Sequence, residues 1–278
     1  MREIKTILQS NDFRFNKQFG QNFITDKNLL RAIVEDACIT QADTVVEIGA
    51  GAGTLTVAIS DAAKKVYAYE IDRNLKPVLA ETLSGRENVE VLFRDFMRDD
   101  LTALEQEIGC AYHVIANLPY YITTPVIMRF LEDAKKCASI TVTVQREVAD
   151  RLSSEPGSAD YSAITASVRA RANVKKTRDI PRTMFYPVPN VDSAVITITP
   201  VEDKYPGVDE KTFKLIKNAF LMRRKTLVNN IVSAYSVTRV EAEDILSKLG
   251  YDVRVRGERL DVPDFVKIAN KIAEVVAE

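Results

Sequence analysis

Two hydrophobic patterns alternate along the first two-thirds of the chain. Short apolar runs rich in β-branched residues predict buried strands, and the stretches between them have the periodicity of helices. The strands are predicted at residues 44–48, 65–69, 89–93, 112–116 and 140–145, with an alternating strand at 195–199. Helices between strands imply parallel pairing through right-handed crossovers. The last strand could be an antiparallel insertion, which would make the sheet mixed.

The pattern changes after Pro200. Residues 201–207 form a polar segment with proline and glycine, which is typical of a linker. From Asp209 onward the pattern is helical, with Gly250 expected to end one helix and Asp261 with Pro263 to begin the next. We therefore predict an α/β domain over residues 1–203 and a small all-helical domain over residues 208–278.

Composition narrows the class of protein. The 278 residues are 46% hydrophobic and 28% charged, as in an ordinary folded chain. No apolar run approaches the roughly 20 residues of a membrane span, and the N-terminus does not resemble a secretory signal. Cys38, Cys110 and Cys137 are far apart and His113 is the single histidine. We therefore expect no metal site, no disulfide framework and a reduced, cytoplasmic setting.

The net charge of the chain argues against a protein that binds nucleic acid nonspecifically. Lys and Arg total 38 and Asp and Glu total 39, so the net charge is -1. This balance excludes a nonspecific polycation and favours an enzyme for small molecules, but it does not show where the charges lie. Basic residues concentrate in three stretches: Arg169, Arg171, Lys175, Lys176, Arg178 and Arg182; Arg223, Arg224 and Lys225; and Arg254, Arg256 and Arg259.

A glycine-rich turn follows the first predicted strand, in the sequence Glu-Ile-Gly-Ala-Gly-Ala-Gly that ends at Gly53. Alternate glycines between a strand and a helix let a ligand approach the backbone at a helix N-terminus. The dinucleotide fingerprint requires Gly or Ala where Thr54 stands, so a nicotinamide cofactor is disfavoured. This spacing is more familiar from S-adenosylmethionine enzymes, although a tight turn without a ligand is the alternative.

Acidic residues end the next two strands. Glu70 lies 21 positions after Gly49, about where a carboxylate accepts the ribose hydroxyls of a nucleoside, and Asp72 is the better candidate for a helix cap. Asp95 follows the third strand with Phe96 beside it and could accept from an exocyclic amino group. An aspartate after a strand is more often a turn former, so Asp95 gains weight only together with the other strand ends.

The fourth strand ends in Asn117-Leu118-Pro119-Tyr120. The Asn117 side-chain carbonyl and a backbone carbonyl at Leu118 or Pro119 can each accept a hydrogen bond from one amino group. Tyr120 offers a flat face to a purine. The arrangement suits a planar amine that attacks through its lone pair, whereas an Asn-Pro turn that merely closes the strand is the alternative.

In this order, these motifs resemble those of the ribosomal RNA adenine N6-dimethyltransferases, nearest to the bacterial small-subunit branch. The resemblance covers nearly the whole chain. Its motifs are Phe19-Gly-Gln-Asn-Phe-Ile24, the glycine-rich turn, Tyr69-Glu-Ile-Asp72, Asp95, Asn117-Leu-Pro-Tyr-Tyr-Ile-Thr-Thr-Pro125, Phe185-Tyr-Pro-Val-Pro-Asn-Val-Asp-Ser-Ala194 and Phe220-Leu-Met-Arg-Arg-Lys-Thr-Leu227. Two departures replace no polar group: Ile24 stands where leucine is usual, and Ala50 where proline is frequent.

The resemblance implies a Rossmann-like class I S-adenosylmethionine methyltransferase with a mixed seven-stranded sheet and a helical C-terminal domain. It implies that Asn22 and Ile24 close over the cofactor, that Glu70 holds its ribose and that Asp95 holds its adenine amino group. The implied cofactor residues are Asn22, Ile24, Gly49, Gly51, Glu70, Ile71, Asp95, Phe96 and Asn117. The implied catalytic residues are Asn117, Leu118, Pro119, Tyr120 and Phe185, with Phe185 and Tyr120 on either side of the flipped target base.

The same resemblance implies dimethylation of two adjacent adenosines in the 3′-terminal hairpin of 16S ribosomal RNA and a role in small-subunit biogenesis. A monomer is expected. The first two basic clusters would contact RNA phosphates through Arg171, Lys175, Lys176, Arg223, Arg224 and Lys225.

Three alternatives stay open. Large-subunit methylases of the erythromycin-resistance type tend to have isoleucine where Leu118 stands, and they lack the Arg-Arg-Lys-Thr-Leu motif. A DNA adenine methylase would need a target-recognition domain that the sequence does not show. The chain could also act chiefly by binding, as an assembly factor, which is compatible with catalysis.

Overall fold

The structure is a computed structural model that describes residues 4–11, 13 and 20–277, without the side chains of residues 5 and 277. Phe19, the first residue of the N-terminal motif, lies outside this part of the chain. The strands are β1 (Phe23–Ile24), β2 (Thr44–Ile48), β3 (Lys65–Tyr69), β4 (Val89–Leu92), β5 (Tyr112–Asn117), β6 (Cys137–Gln145), β7 (Ala172–Ile180), β8 (Phe185–Tyr186) and β9 (Ser193–Pro200).

Helices connect most of these strands and make up the end of the chain. They are α1 (Ile4–Ser10), α2 (Lys27–Asp36), α3 (Thr54–Ala62), α4 (Lys76–Thr82), α5 (Leu101–Ile108), α6 (Thr123–Asp133), α7 (Arg146–Leu152), α8 (Ala163–Arg169), α9 (Glu210–Ala219), α10 (Leu227–Ala234), α11 (Arg239–Lys248) and α12 (Val262–Ala277). None of the helices in the described residues has the length and apolar character that spanning a bilayer requires.

Seven strands form one sheet in the order β4-β3-β2-β5-β6-β9-β7. The first five are parallel to their neighbours, and β9 pairs antiparallel with β6. The predicted mixed seven-stranded sheet is therefore confirmed. All five residues of β2 are buried, as expected for a central strand that is covered on both faces.

The register of the sheet aligns the ends of its central strands. Ile48 pairs with Tyr69 on one side and with Ala116 on the other. The next residues along the three strands are Gly49, Glu70 and Asn117. The predicted candidate residues therefore meet at one edge of the sheet, because parallel strands in register end together.

The hydrophobic pattern did not predict β7, because the middle of this strand is charged and contains no apolar run. It lies at the edge of the sheet next to β9. A charged edge strand discourages pairing with other chains, so part of the first basic cluster has a structural explanation besides RNA binding.

The described chain divides into two compact units. The first contains the sheet and comprises residues up to Ala149 together with Lys175–Pro200. The second comprises Asp150–Val174 and Val201–Glu278. The prediction of a single boundary near residues 203–208 placed residues 150–174 in the α/β domain. The structure groups them with the helices, since Tyr161 and Ala166 are buried in the helical core.

The helical unit has the local signals that the sequence predicted. The carboxylate of Asp209 accepts a hydrogen bond from the Thr212 backbone, which starts α9 with a capping box. Gly250 follows α11 with a φ of 83°, in the left-handed region. Asp261 accepts from the Val262 N–H at 2.7 Å at the start of α12. These three predictions are confirmed.

Candidate active site

A pocket of about 260 Å³ lies at the carboxyl ends of the central strands, within the first unit. Every residue that the resemblance assigned to the cofactor or to catalysis lines it: Asn22, Ile24, Gly49, Gly51, Glu70, Ile71, Asp95, Phe96, Asn117, Leu118, Pro119, Tyr120 and Phe185. The predicted residues therefore share one cavity, although their individual roles stay predictions.

The glycine-rich turn forms the floor of this pocket. Gly49, Gly51 and Gly53 all have positive φ values, of 79°, 56° and 80°. A Cβ on Gly51 would lie 2.7 Å from the Phe23 ring, so glycine is required there by space as well as by backbone conformation. The N–H of Ala50 donates to the Tyr69 carbonyl at 2.8 Å, a bond that the more frequent proline could not make.

The Glu70 carboxylate joins this turn to the end of β3. One oxygen accepts from the Gly51 N–H and the other from the Asp72 N–H, both at 2.7 Å. The side chain is 5% exposed, and burial raises the pKa of its carboxyl. Each carboxylate oxygen has a further lone pair, so Glu70 can still accept from ribose hydroxyls. Asp72 caps the following turn by accepting from the Asn74 N–H at 3.0 Å, as predicted.

Asp95 caps the short helical turn after β4, since one of its oxygens accepts from the Met97 N–H at 3.0 Å. Its second oxygen lies 3.5 Å from Nε of Arg98. The Phe96 ring is buried, stacked on Phe130 with centroids 4.9 Å apart. Asp95 is therefore both a turn former and a pocket residue, and the sequence had presented these two interpretations as alternatives.

The orientation of the Asn117 amide follows from its backbone partner. Its Nδ2 donates to the Asn22 carbonyl at 2.9 Å. A carbonyl can only accept, so the amide nitrogen must face Asn22 and Oδ1 faces the opposite way. The pairing leaves Oδ1 available as an acceptor for a ligand, and it joins two motifs that are 95 positions apart.

The turn after Asn117 distinguishes two carbonyls that the sequence left equivalent. The Pro119 carbonyl accepts from the Ile122 N–H at 3.1 Å and from the Thr123 hydroxyl at 3.3 Å. It is therefore committed to the start of α6. The Leu118 carbonyl has no such role among the described residues, which makes it the better acceptor for a ligand amine.

Two aromatic residues complete the pocket. The Tyr120 hydroxyl is 2.8 Å from the Ser193 Oγ, and Ser193 is fully buried at the start of β9. Phe185 is 3% exposed. It lies opposite Ile24 in the antiparallel pairing of β8 with β1. This two-strand pairing, which the sequence did not reveal, brings the N-terminal motif to the Phe185 motif.

Glu47 is a buried carboxyl that the sequence interpretation passed over. It lies in β2, is fully buried, and neither carboxyl oxygen has a hydrogen-bond partner among the described residues. Burial raises the pKa of Glu47 from 4.5 to about 8; the neighbouring Thr56 hydroxyl offsets part of this rise, and the negative charge of Glu70 adds to it. The sequence shows that Glu47 precedes Ile48 and Gly49, but only the packed sheet shows that its carboxyl is fully buried.

Glu47→Gln should stabilise the fold increasingly as the pH rises. Between pH 4.5 and about pH 8, Glu47 is ionised in the unfolded chain but protonated in the folded protein. The free energy of unfolding of the wild type therefore falls as the pH rises through this range. The difference between variant and wild type should grow by about 3 kcal/mol from about pH 5 to pH 8 and then level off. Denaturant unfolding at several pH values measures it, and a pH-independent difference would contradict the assignment.

His113 does not line the pocket. Its Nδ1 lies 2.8 Å from the Ser139 hydroxyl, and burial lowers the pKa of its imidazole. Over residues 4–11, 13 and 20–277, no group of three or more His, Cys, Asp or Glu side chains is placed to hold a metal ion.

The predicted RNA-binding residues differ in their surroundings. Arg171 lies over the Phe213 ring, 3.5 Å from its centroid, and Arg223 donates to the Ala159 and Tyr161 carbonyls. Lys176 pairs with Asp179 at 2.9 Å. The other three, Lys175, Arg224 and Lys225, are exposed. RNA contact stays a prediction for all six, and for Arg171 and Arg223 a packing role is also evident.

The comparisons with known proteins agree over most of the chain. The family described as ribosomal RNA adenine dimethylase matches residues 12–274. Ribosomal RNA small subunit methyltransferase A of Geobacillus thermodenitrificans is 41% identical over 96% of this chain and 94% of its own. The protein of the same name from Clostridioides difficile is also 41% identical, with the same coverage.

Solved structures show the same fold. A dimethyladenosine transferase from Plasmodium falciparum superposes with a TM-score of 0.76 at 26% identity, covering 90% of this chain and 96% of the other. The 23S rRNA methyltransferase ErmE has a TM-score of 0.69 at 24% identity, covering 90% and 99%. At 24% identity, the similarity to ErmE shows a shared fold and no more.

Proposed function

This chain belongs to the ribosomal RNA adenine dimethylase family, and we propose that it dimethylates N6 of two adjacent adenosines in the 3′-terminal hairpin of 16S ribosomal RNA. The observation that carries the proposal is the Asn117 amide, held by the Asn22 carbonyl so that Oδ1 faces away from it. The 41% identity to small-subunit methyltransferases supports the choice of RNA.

The methyl donor is S-adenosylmethionine, and the pocket fits it. A Cβ on Gly51 would collide with Phe23, so the turn is kept free of side chains at that point. The Glu70 carboxylate lies beside the turn with acceptor capacity for a ribose, and Asp95 lies at the next strand end. When bound, this cofactor supplies a methyl group that is already activated by a positively charged sulfur.

The chain's own residues then prepare the adenine amine. Its N6 lone pair is delocalised into the ring, which makes it a poor nucleophile. In the first transfer, Asn117 Oδ1 and the Leu118 carbonyl can each accept one N6 hydrogen, which favours a pyramidal nitrogen and stabilises its developing positive charge. In the second transfer, the monomethylated amine has one N6 hydrogen left, which one of the two oxygens accepts. A protonated aryl amine loses its proton to water readily, so no strong general base is needed, and His113 lies outside the pocket.

Tyr120 and Phe185 would hold the adenine after it leaves its stack. Extrusion costs a few kcal/mol, which stacking against aromatic side chains offsets. The bond between the Tyr120 hydroxyl and Ser193 fixes one edge of this aromatic ring.

Tyr120→Phe and Ser193→Ala should each lower kcat/KM for methylation by about fivefold, the effect of one neutral hydrogen bond. Both changes break the same bond, so the double variant should be no worse than the poorer single variant. Initial methylation rates of the four proteins test this cycle. Fully additive losses would show that Ser193 acts independently of Tyr120.

The central experiment supplies labelled S-adenosylmethionine and unmodified small subunits to the purified protein. We expect dimethyladenosine at two adjacent positions of the 3′-terminal hairpin, and labelling at least about 100-fold slower with Asn117→Ala. Large subunits form a parallel arm, because an enzyme of the erythromycin-resistance type would label 23S RNA instead. Absence of dimethyladenosine in the hairpin would overturn the proposal.

Binding alone is a second candidate function, compatible with the first. Its supporting observation is that Arg224 and Lys225 are exposed in one turn of the helical unit. If Asn117→Ala still supports subunit assembly in cells that lack the wild-type enzyme, binding and methyl transfer are separate contributions. We propose that the protein acts as a monomer on the small subunit or its precursor, in the cytoplasm.

A further inference from the structure

Arg129 makes two contacts with the turn that carries Asp95. It lies on α6, and its Nη1 donates to the Phe96 carbonyl while Nη2 donates to the Asp99 carbonyl. These carbonyls stand near the two ends of the turn. The guanidinium is a planar fork of donors, so it can hold both carbonyls at a fixed separation.

The same guanidinium covers the aromatic ring inside this turn. Arg129 Cζ lies 4.7 Å from the centroid of the Phe96 ring. A second contact comes from Phe130, the next residue of α6, whose ring stacks with the Phe96 ring. Helix α6 therefore fixes both the backbone and the side chain of the turn.

Asp99, at the far end of the turn, is anchored to the sheet as well. The Tyr69 hydroxyl donates to an Asp99 carboxylate oxygen at 2.7 Å, and Arg94 pairs with Asp99 at 3.3 Å. The turn cannot shift at this end without breaking these bonds. The Asp99 N–H also donates to the Phe96 carbonyl at 3.3 Å, and Arg129 adds a side-chain bond to each end of the turn.

The position of the Asp95 carboxylate depends on this turn, because one of its oxygens accepts from the Met97 N–H. Rotation of residues 96–98 would move that N–H and release the carboxylate from its present orientation. About a third of the Asp95 side chain remains exposed, and the residue lines the pocket.

We propose that Arg129 is a positioning residue that holds Asp95 in place to select the 6-amino group of the cofactor adenine. The proposal rests on the proposed cofactor role of Asp95. Helix α6 would then hold two parts of the pocket: the turn after Asn117 at its start, and the turn that carries Asp95 through Arg129. Arg129 touches backbone carbonyls and an aromatic ring, so its effect on the cofactor is transmitted through the turn.

The test compares two ligands that differ in one group. The probes are S-adenosylhomocysteine and its 6-deamino analogue, titrated calorimetrically in the absence of RNA. Wild type should prefer the 6-amino ligand by at least about tenfold, the effect of a hydrogen bond to a carboxylate. Arg129→Met should weaken the 6-amino ligand by about tenfold and the analogue by less than about twofold. Arg129→Lys keeps the positive charge but loses the planar fork of donors. Its affinity for the 6-amino ligand should lie between those of wild type and Arg129→Met.

Two control variants separate positioning from general damage. Arg239→Met removes a surface arginine from α11 in the helical unit and should change neither affinity. Asp95→Ala should abolish the preference for the 6-amino ligand, and adding Arg129→Met to it should change little more. The kcat of Arg129→Met at saturating S-adenosylmethionine should remain within about twofold of wild type while KM rises.

Equal weakening of both ligands by Arg129→Met and Arg129→Lys would overturn the proposal, as would additive losses in the Asp95→Ala background. A wild type that does not distinguish the ligands would overturn it too. If Arg129→Met does not fold, Arg129→Lys decides the comparison. Because the titrations contain no RNA, failure to methylate the hairpin would leave their result intact.

Discussion

Asn117→Ala should lower kcat for methyl transfer by about 100- to 1,000-fold, the range found when one preorganised polar group is removed from a developing charge. In the proposed mechanism, the amide supplies an acceptor that the target amine needs most in the transition state. Cofactor affinity should fall much less, by about fivefold at most, because Glu70 and the glycine-rich turn are untouched. Single-turnover rates and cofactor titrations measure the two effects separately.

Asn117→Asp is the matched control for this result. It keeps oxygens toward the target amine but replaces the donor facing the Asn22 carbonyl with an acceptor. We expect it to retain more activity than Asn117→Ala and to bind the cofactor less tightly, because two acceptors then face each other. A loss of less than about tenfold for Asn117→Ala would show that the Leu118 carbonyl and stacking suffice.

Glu70→Ala should weaken cofactor binding by about 100-fold. The substitution removes acceptors from two backbone N–H groups, those of Gly51 and Asp72, in a site where the carboxylate is 5% exposed. A buried donor left without a partner costs about 1–3 kcal/mol, and the proposed ribose contacts are lost as well. At saturating cofactor the rate should recover most of its wild-type value, since the proposed contact of Glu70 is with the cofactor ribose.

Glu90→Ala serves as the control, because it removes a partly exposed carboxylate from the neighbouring strand β4, where Glu90 pairs with Lys65. Its cofactor affinity should equal that of wild type. Glu70→Gln should lie between wild type and Glu70→Ala, because its amide offers one acceptor atom where two are used. If Glu90→Ala and Glu70→Ala lose cofactor affinity equally, the effect comes from the change in net charge and not from the contacts of Glu70.

The strand ends show how far local pattern reaches. Gly49, Glu70 and Asn117 could be placed together from the sequence, because each follows a predicted parallel strand. Strands joined by crossover helices end at the same edge of a sheet, so their order and length suffice. The register Ile48–Tyr69 and Ile48–Ala116 confirms the alignment.

Residues 150–174 show where local pattern fails. They follow the last parallel strand directly, and nothing in their periodicity separates them from the α/β domain. Tyr161 nevertheless belongs to the helical core that contains Leu215 and Phe265, and its ring contacts that of Phe220. Which core receives a short apolar segment depends on partners far along the chain, and the segment itself does not encode them.

The sequence by itself determined the class of fold, the family and many of the residues that line the pocket, because strand patterns and ordered motifs are properties of short segments. Only the tertiary structure decided which way the Asn117 amide points, which of the Leu118 and Pro119 carbonyls is available, and that Ser193 and Arg129 bond to residues of the pocket. Each of these depends on a hydrogen bond within the folded pocket. Such bonds form when separate segments meet, so their geometry exists only after the chain has packed.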